Sequence, residues 1–459
     1  MSILQVVKLP RAWFVAALAS GVMFAAGESR AEVTIAEAKG FTFFTDGRVN
    51  TFASLGIGDE FPTASPNTDG GPPHSPVGET ALYAQGQNSD QDDSKGKYFA
   101  VRGRNGFMGT VLGLGMKKDV TATTKIKGYI ALWGHAETFN RERSNFSEFD
   151  VRQGYMALEG PWGDLTAGRS LGLFGRMSTD IDFNYGHNFG LGYPCGDAQG
   201  PTCGHIGTGV MFPGFAAGFQ YSSPSIGGLK LHAGLYDPVR LLGAWNRAAI
   251  ARPEGAISFE TKFGKTGMFK VQAEGMVQPL SRLEQDPMTG ASSLRSENVW
   301  GAAGGARFEY GVFRLGAAAF RGKGLGQYYA LQNSPVVFSP ASYNIRSFTG
   351  VYGQAAVVLD KIQLSAGAGR VSVDLLPDDK KDATLSNAKS QMGISAAVYY
   401  HVSDALVLGL DYFRFQADWY GAPRSRFGAD GTTTEIIGGF LPAEKQVVTY
   451  INAGATFHW

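Results

Sequence analysis

From Phe41 to the last residue the chain alternates apolar and polar positions. In AISFETKFG, Ile257, Phe259, Thr261 and Phe263 fall on one side and Ser258, Glu260 and Lys262 on the other. LKLHAGLY sets Leu229, Leu231, Ala233 and Leu235 against Lys230, His232, Gly234 and Tyr236. The closing QVVTYINAGATFHW sets Val447, Ile451, Phe457 and Trp459 against Gln446, Tyr450, Asn452 and His458. A period of two is strand geometry, with successive side chains on opposite faces. A helix would need apolar residues three and four apart, which these stretches lack. The pattern predicts sixteen strands, near 41–56, 97–116, 119–136, 146–160, 163–170, 209–223, 228–236 and 254–264 in the first half. The second half adds 267–278, 296–310, 312–321, 345–360, 362–371, 389–402, 405–417 and 446–459.

Between these strands, connections alternate in length. Tight ones are MKKDV, GPWGD, SPSIGG, GKTG, YG, DK and HVSDA; long ones run over 57–96, 137–145, 171–208, 237–253, 279–295, 322–344, 372–388 and 418–445. Strict alternation sorts every long loop to one end of an antiparallel sheet. An even strand count with short turns at one rim and long loops at the other is the anatomy of an outer-membrane barrel. Hydrocarbon leaves no partner for an unpaired backbone group, so a sheet that spans a bilayer must close. Strands of about 9–11 residues suffice to cross. Trp300, Phe308, Tyr310, Phe457 and Trp459 lie near strand ends on the apolar faces, where rings would form interfacial girdles. The fold class expected is all-β: a 16-stranded antiparallel transmembrane β-barrel with short periplasmic turns and long extracellular loops.

Composition sharpens this. There are 63 Gly, aromatics make up 12%, and mean hydropathy is −0.10. The formal charge of +1 gives no basic excess for a nucleic-acid partner. The N-terminus has basic Lys8 and Arg11, an apolar stretch from Trp13 to Ala26, and a small-x-small site at Ser29-Arg30-Ala31. That is the layout of a secretory signal peptide, too short and wrongly flanked for a spanning helix. The expected organisation is a leader over 1–31 and a barrel over 32–459. Beyond the leader no run of 18 apolar residues occurs. Cys195 and Cys203 are the two cysteines, and in an exported chain such a close pair is expected to form a disulfide. A zinc site would need a second Cys or His pair. The chain has no G-x-S-x-G elbow, P-loop, H-E-x-x-H or strand-to-helix G-x-G-x-x-G, so nothing marks it as an enzyme.

Three patches resemble the general porin family of Gram-negative outer membranes: DVRQGYMALEGPWGDLTAGRSLG (Asp150 to Gly172), GFQYSSPSIGGLKLHAGLYD (Gly218 to Asp237) and the final NAGATFHW. The resemblance implies a water-filled channel for passive diffusion of small hydrophilic solutes and ions in the Gram-negative outer membrane. It also implies a homotrimer surrounded by outer-membrane lipid and lipopolysaccharide. Barrel-insertion machinery would recognise the C-terminal strand, although Trp459 stands where the family usually ends in Phe. By the same resemblance, 171–209 would be the constriction loop. Here the chain departs from the family: it has no Pro-Glu-Phe-Gly-Gly motif, and carries STDIDFNYGHNFGLGYPCGDAQGPTCGHIG instead. A Cys195–Cys203 bridge would stiffen that loop.

Candidate pore residues follow from the polar faces and the resemblance. Arg48, Arg102, Arg104, Arg152 and Arg169 lie on the first five strands, joined by Lys125 and Lys127. The resemblance sets such an arginine row opposite acidic residues of the loop, for which Asp180 and Asp182 are the available pair. Opposed charges across a narrow opening would impose a transverse field that favours polar solutes. Further along, Lys230, Lys262 and Lys270 alternate with Glu260 and Glu274, so the wall charge is mixed. No cofactor is expected; the alternative use of Asp180 and Asp182 is as Ca²⁺ ligands, which clustered loop carboxylates suit. Two other functions stand beside passive diffusion. One is a substrate-selective channel of the same fold, tuned to anions. The other is a non-conducting barrel hydrolase or adhesin, for which no motif is present.

Overall fold

The computed structural model describes residues 32–59, 66–77, 91–92, 97–106, 109–134, 149–183, 192–194, 202–241, 245–285, 288–328, 336–340 and 342–459. The leader expected over 1–31 lies outside them. The chain runs through β1 (Val33–Ala38), β2 (Phe41–Asp59), β3 (Ser75–Val77), β4 (Gln91–Asp92), β5 (Lys97–Arg104), β6 (Thr110–Asp119), β7 (Lys125–Gly134) and β8 (Phe149–Gly160). It continues through β9 (Gly163–Leu171), a short helix α1 (Arg176–Asp180), β10 (Phe215–Ser222), β11 (Leu229–Tyr236), β12 (Arg252–Phe263), β13 (Gly267–Gln285) and β14 (Ser292–Tyr310). The last part holds β15 (Phe313–Lys323), β16 (Ser347–Leu359), β17 (Ile362–Val373), β18 (Leu385–His401), β19 (Leu406–Trp419), β20 (Pro423–Phe427), β21 (Thr434–Phe440) and β22 (Lys445–His458).

Sixteen antiparallel staves close into a barrel. They are β2, β5 and β6 taken together, β7 to β19, and β22, which pairs back onto β2 from Arg48↔His458 to Gly58↔Val448. Every strand expected from the alternation is present. β5 and β6 form one stave, because Asp59↔Lys97 through Phe52↔Arg104 continues as Arg48↔Val111 through Phe41↔Lys118. It is interrupted after Arg104, where the Asn105 carbonyl turns inward to accept from Thr202 N at 3.0 Å. β13 and β14 extend beyond the expected 278 and 296, pairing out to Gln285↔Ser292.

The apolar faces point outward. Ile257, Leu231, Leu235, Ile451 and Phe457 are exposed, while Tyr450, Asn452 and Thr456 on the alternate positions of β22 are buried. Trp300, Phe308 and Tyr310 are exposed on the outside of β14, as girdle positions require. Tight turns at one rim use local chemistry: Gly311, with φ 58°, joins β14 to β15, and Asp360, with φ 51°, joins β16 to β17. Both residue types tolerate the left-handed conformation that two-residue hairpins demand.

The sixteenth column is composite. β1 pairs with Phe41–Thr45 of β2 on the edge that β22 occupies higher up, so the N-terminal strand continues the column just beyond Trp459. Glu32, next to β1, bridges Lys117 and Lys127 on the inner wall at 2.6 and 2.7 Å.

Candidate channel and its constriction

The connection between β9 and β10 folds into the barrel. Its ends are tied by Gly172 N donating to Gly214 O at 3.0 Å. The outgoing limb meets two wall carboxylates. Glu254 of β12 accepts from Leu173 N and Phe174 N at 2.8 and 2.9 Å, and Glu274 of β13 accepts from Gly175 N at 2.7 Å. Hydrogen bonds of this kind typically make a net contribution of roughly 0.5–1.5 kcal/mol each. Farther round, Phe183 N donates to Gln354 of β16 at 2.8 Å, and Asn452 of β22 donates to Gly192 O at 3.1 Å. Thr202 reaches the interruption between β5 and β6. On the return limb His205 Nε2 lies 2.9 Å from the Ser395 hydroxyl of β18.

Glycines of the inner wall make room for this path. A Cβ at Gly305 would lie 3.1 Å from Met177 and one at Gly316 would lie 3.1 Å from Ile181; Phe174 packs closer still against Gly301. Leu173, Phe174, Met177, Ile181, Val210, Met211 and Phe212 are consequently buried against the wall. Wall carboxylates and glycine seats together hold the start of the loop, 173–181, against the inner wall.

The opposite side carries the arginines. Arg48 of β2 and Arg102 of β5 are half-buried, while Arg104 and Arg152 are buried. The guanidinium carbons of Arg48 and Arg152 lie 5.5 and 5.2 Å from the centre of the Trp133 ring, close enough for cation–π attraction. Arg152 reaches this cluster through a bulge: Leu132 pairs with Val151 and Ala131 with Gln153, leaving Arg152 as the extra residue. Its Nε also donates to Asp150 at 2.9 Å.

The other expected site residues go elsewhere. Arg169 is exposed on the outside of β9, where register gives it the same face as Met156 and Phe219, and it donates to Val151 O. Thr166 and Ser170 are the buried polar residues of that strand. Lys125 sits exposed by the turn, opposite Glu159, and Lys127 is paired with Glu32. Asp180 is turned to the wall behind the loop, 2.8 Å from Lys270 of β13. Asp182 is buried, 3.4 Å from the Tyr352 hydroxyl. Among the described residues no group of three or more His, Cys, Asp or Glu is placed to hold a metal. Cys203 is buried and its N donates to Tyr193 O at 2.8 Å; Cys195 lies outside the described residues.

Alternation marked Lys270 and Glu274 as wall charges, but the partners the loop offers them come from another part of the sequence. Trp133, at the centre of the arginine cluster, carried no signal beyond being an aromatic on a polar face. Arg176, half-buried at the start of α1, is a further cation by the lumen, donating to Gln220 at 3.0 Å and Leu171 O at 2.6 Å.

A family model described as Gram-negative porin matches residues 12–418, and the chain belongs to that family. Among curated proteins none matches. The fold is similar to the outer membrane channel DcaP of Acinetobacter baumannii, with 15% identity, 93% of this chain and 100% of that chain covered, and a TM-score of 0.59. It is also similar to an anion-selective porin from Comamonas acidovorans, with 12% identity, 91% and 100% covered, and a TM-score of 0.53. Salmonella typhi OmpF, in a complex with daunomycin, gives 12% identity, 94% and 100% covered, and a TM-score of 0.51. The chain is an outer-membrane channel for passive diffusion, and its family is one of channels rather than enzymes.

Proposed function

We propose that this channel passes small hydrophilic solutes with a preference for anions. One observation carries the preference. Arg48 and Arg102 stand half-buried on the inner faces of β2 and β5, in the same wall as the buried Arg104 and Arg152, whereas the two described loop acids are withdrawn, Asp180 onto Lys270 and Asp182 into the packed interior. The transverse field therefore has a strong positive side and a weak negative one, which lowers the barrier for anions. The anion-selective porin of Comamonas acidovorans lends support from the same fold. A homotrimer set among outer-membrane lipid and lipopolysaccharide, insertion through the C-terminal strand and a leader removed after residue 31 complete the proposal, supported by family membership, together with a Cys195–Cys203 bridge, supported by the close spacing of two cysteines in an exported chain.

The deciding measurement is the reversal potential of single channels in a salt gradient. Wild-type protein is expected to give the anion sign. A unit charge 4 Å from an ion contributes about 1 kcal/mol in bulk water, so R48Q/R102Q should cut the anion-to-cation permeability ratio by up to about fivefold per charge. R169Q, on the outer face, should leave it unchanged. A cation sign or a zero potential in the wild type would sink the preference.

A further inference from the structure

We infer that 324–328 and 336–340, the described limbs of the connection between β15 and β16, form a second constriction that rests on the first loop and is positioned by a buried Arg346–Asp379 pair. Its base is closed by Gly324 N donating to Arg346 O at 2.9 Å. From there the chain turns into the barrel. A Cβ at Gly322, on the inner face of β15, would lie 2.7 Å from Leu325, and Leu325, Tyr328, Val336 and Val337 are all buried. Tyr328 rests on the first loop: its carbonyl accepts from Phe212 N at 2.8 Å and its ring lies 6.3 Å from that of Tyr193. Gln327 is held by the β18 wall, accepting from Gln391 at 3.0 Å. The described apolar residues of this connection are thus packed inside the mouth rather than extended into water.

Arg346 joins three segments at once. It donates to the carbonyls of Val336 and Phe338 in its own loop at 3.0 and 2.8 Å. It also donates to both Asp379 oxygens, at 3.1 and 2.5 Å, in the turn Pro377–Lys381 that follows β17. A fifth bond reaches Asn387 of β18 at 2.9 Å. Arg346 and Asp379 are each only 2% exposed. A guanidinium alone among side chains offers five donors in a fixed fork, and here five bonds are made. Outside the pair, Asn344 donates to Asp378 at 2.7 Å. Hydrogen bonds from Ser342, Asn344 and Lys381 hold the Asp378 carboxyl below the usual aspartate value, which fixes a charged contact on the same loop at neutral pH.

Removing one member of a buried ion pair leaves the other uncompensated, whereas replacing both with apolar groups removes that penalty. Arg346 and Asp379 are positioning residues, and the tests separate positioning from folding. In planar bilayers R346A should roughly double single-channel conductance, and in vesicle swelling it should admit larger neutral sugars than the wild type. The double variant R346M/D379L should return both towards wild type. D379N serves where R346A does not fold, with the same direction expected. Heat-modifiable migration in detergent gels reports that the barrel is intact. R321Q, which breaks the exposed Arg321–Asp374 pair (3.4 Å), should change neither conductance nor sugar cut-off. Wild-type conductance and cut-off in intact R346A or D379N barrels would overturn the inference, as would an equal rise in R321Q. Neither readout depends on the sign of ion selectivity, so this inference and the anion preference stand or fall separately.

Discussion

Gly301 occupies a position on the inner wall where any side chain would collide with the buried ring of Phe174. Overpacking of this kind costs typically 1–3 kcal/mol, and the loop can yield more easily than a closed sheet. Gly301→Leu should therefore unseat the start of the inward loop while leaving the barrel folded. Current noise should rise and externally added protease should begin to cut between Leu171 and Phe215; quiet traces and an uncut loop would show that Gly301 is no seat. The sequence could not supply this partnership, because Gly301 and Phe174 lie far apart and neither stands out among 63 glycines and 31 phenylalanines. Facing was more legible, and its failures are local. Ala167-Gly168-Arg169-Ser170 mixes small and polar residues on both parities, so nothing in it reveals that Ser170 points in and Arg169 out. A one-residue bulge decides the direction of Arg152 in the same hidden way.

Strands were the legible elements, since each needs only its own alternation and a turn at the end. The loop between β9 and β10 has no period, and its apolar residues find partners on staves scattered through the later sequence. Its return limb carries Cys203, packed beside Tyr193 and one residue after Thr202, where the loop touches the break between β5 and β6. A bridge from Cys203 to Cys195 would hold this turn of the loop at its far reach. Cross-linking a short segment typically contributes 2–4 kcal/mol by restricting the unfolded chain, so Cys203→Ser should loosen the turn without opening the barrel. The expected result is a noisier open channel with unchanged heat-modifiable migration, reproduced by a reductant acting on the wild type. A variant as quiet as the wild type, with a mass that shows no bridge to lose, would count against it.

For the molecule as a whole, an outward apolar surface makes sense only in lipid, and a closed sheet is the form lipid accepts. The terminal residue belongs to that closure. Trp459 exchanges backbone hydrogen bonds with Gly47, N to O at 3.1 Å and O from N at 3.2 Å, and its ring lies 6.0 Å from Phe457 on the outer side. Deleting Trp459 should remove about 1–3 kcal/mol, two net hydrogen bonds and a buried edge, and lower the yield of heat-modifiable barrel on refolding into vesicles. Trp459→Phe keeps the ladder and should refold like the wild type; equal yields from the deletion would remove any role for the last residue. The composite column beside β2 also has a kinetic meaning. Its upper part comes from the end of the chain and its lower part from the beginning, so the last pairing to form spans nearly the entire sequence. Such a contact order predicts slow folding, and until it forms both edges of the sheet stand open to other chains. The closing step therefore has to wait until β22 has been made and exported, and the interval before it is when the open sheet is most exposed to aggregation.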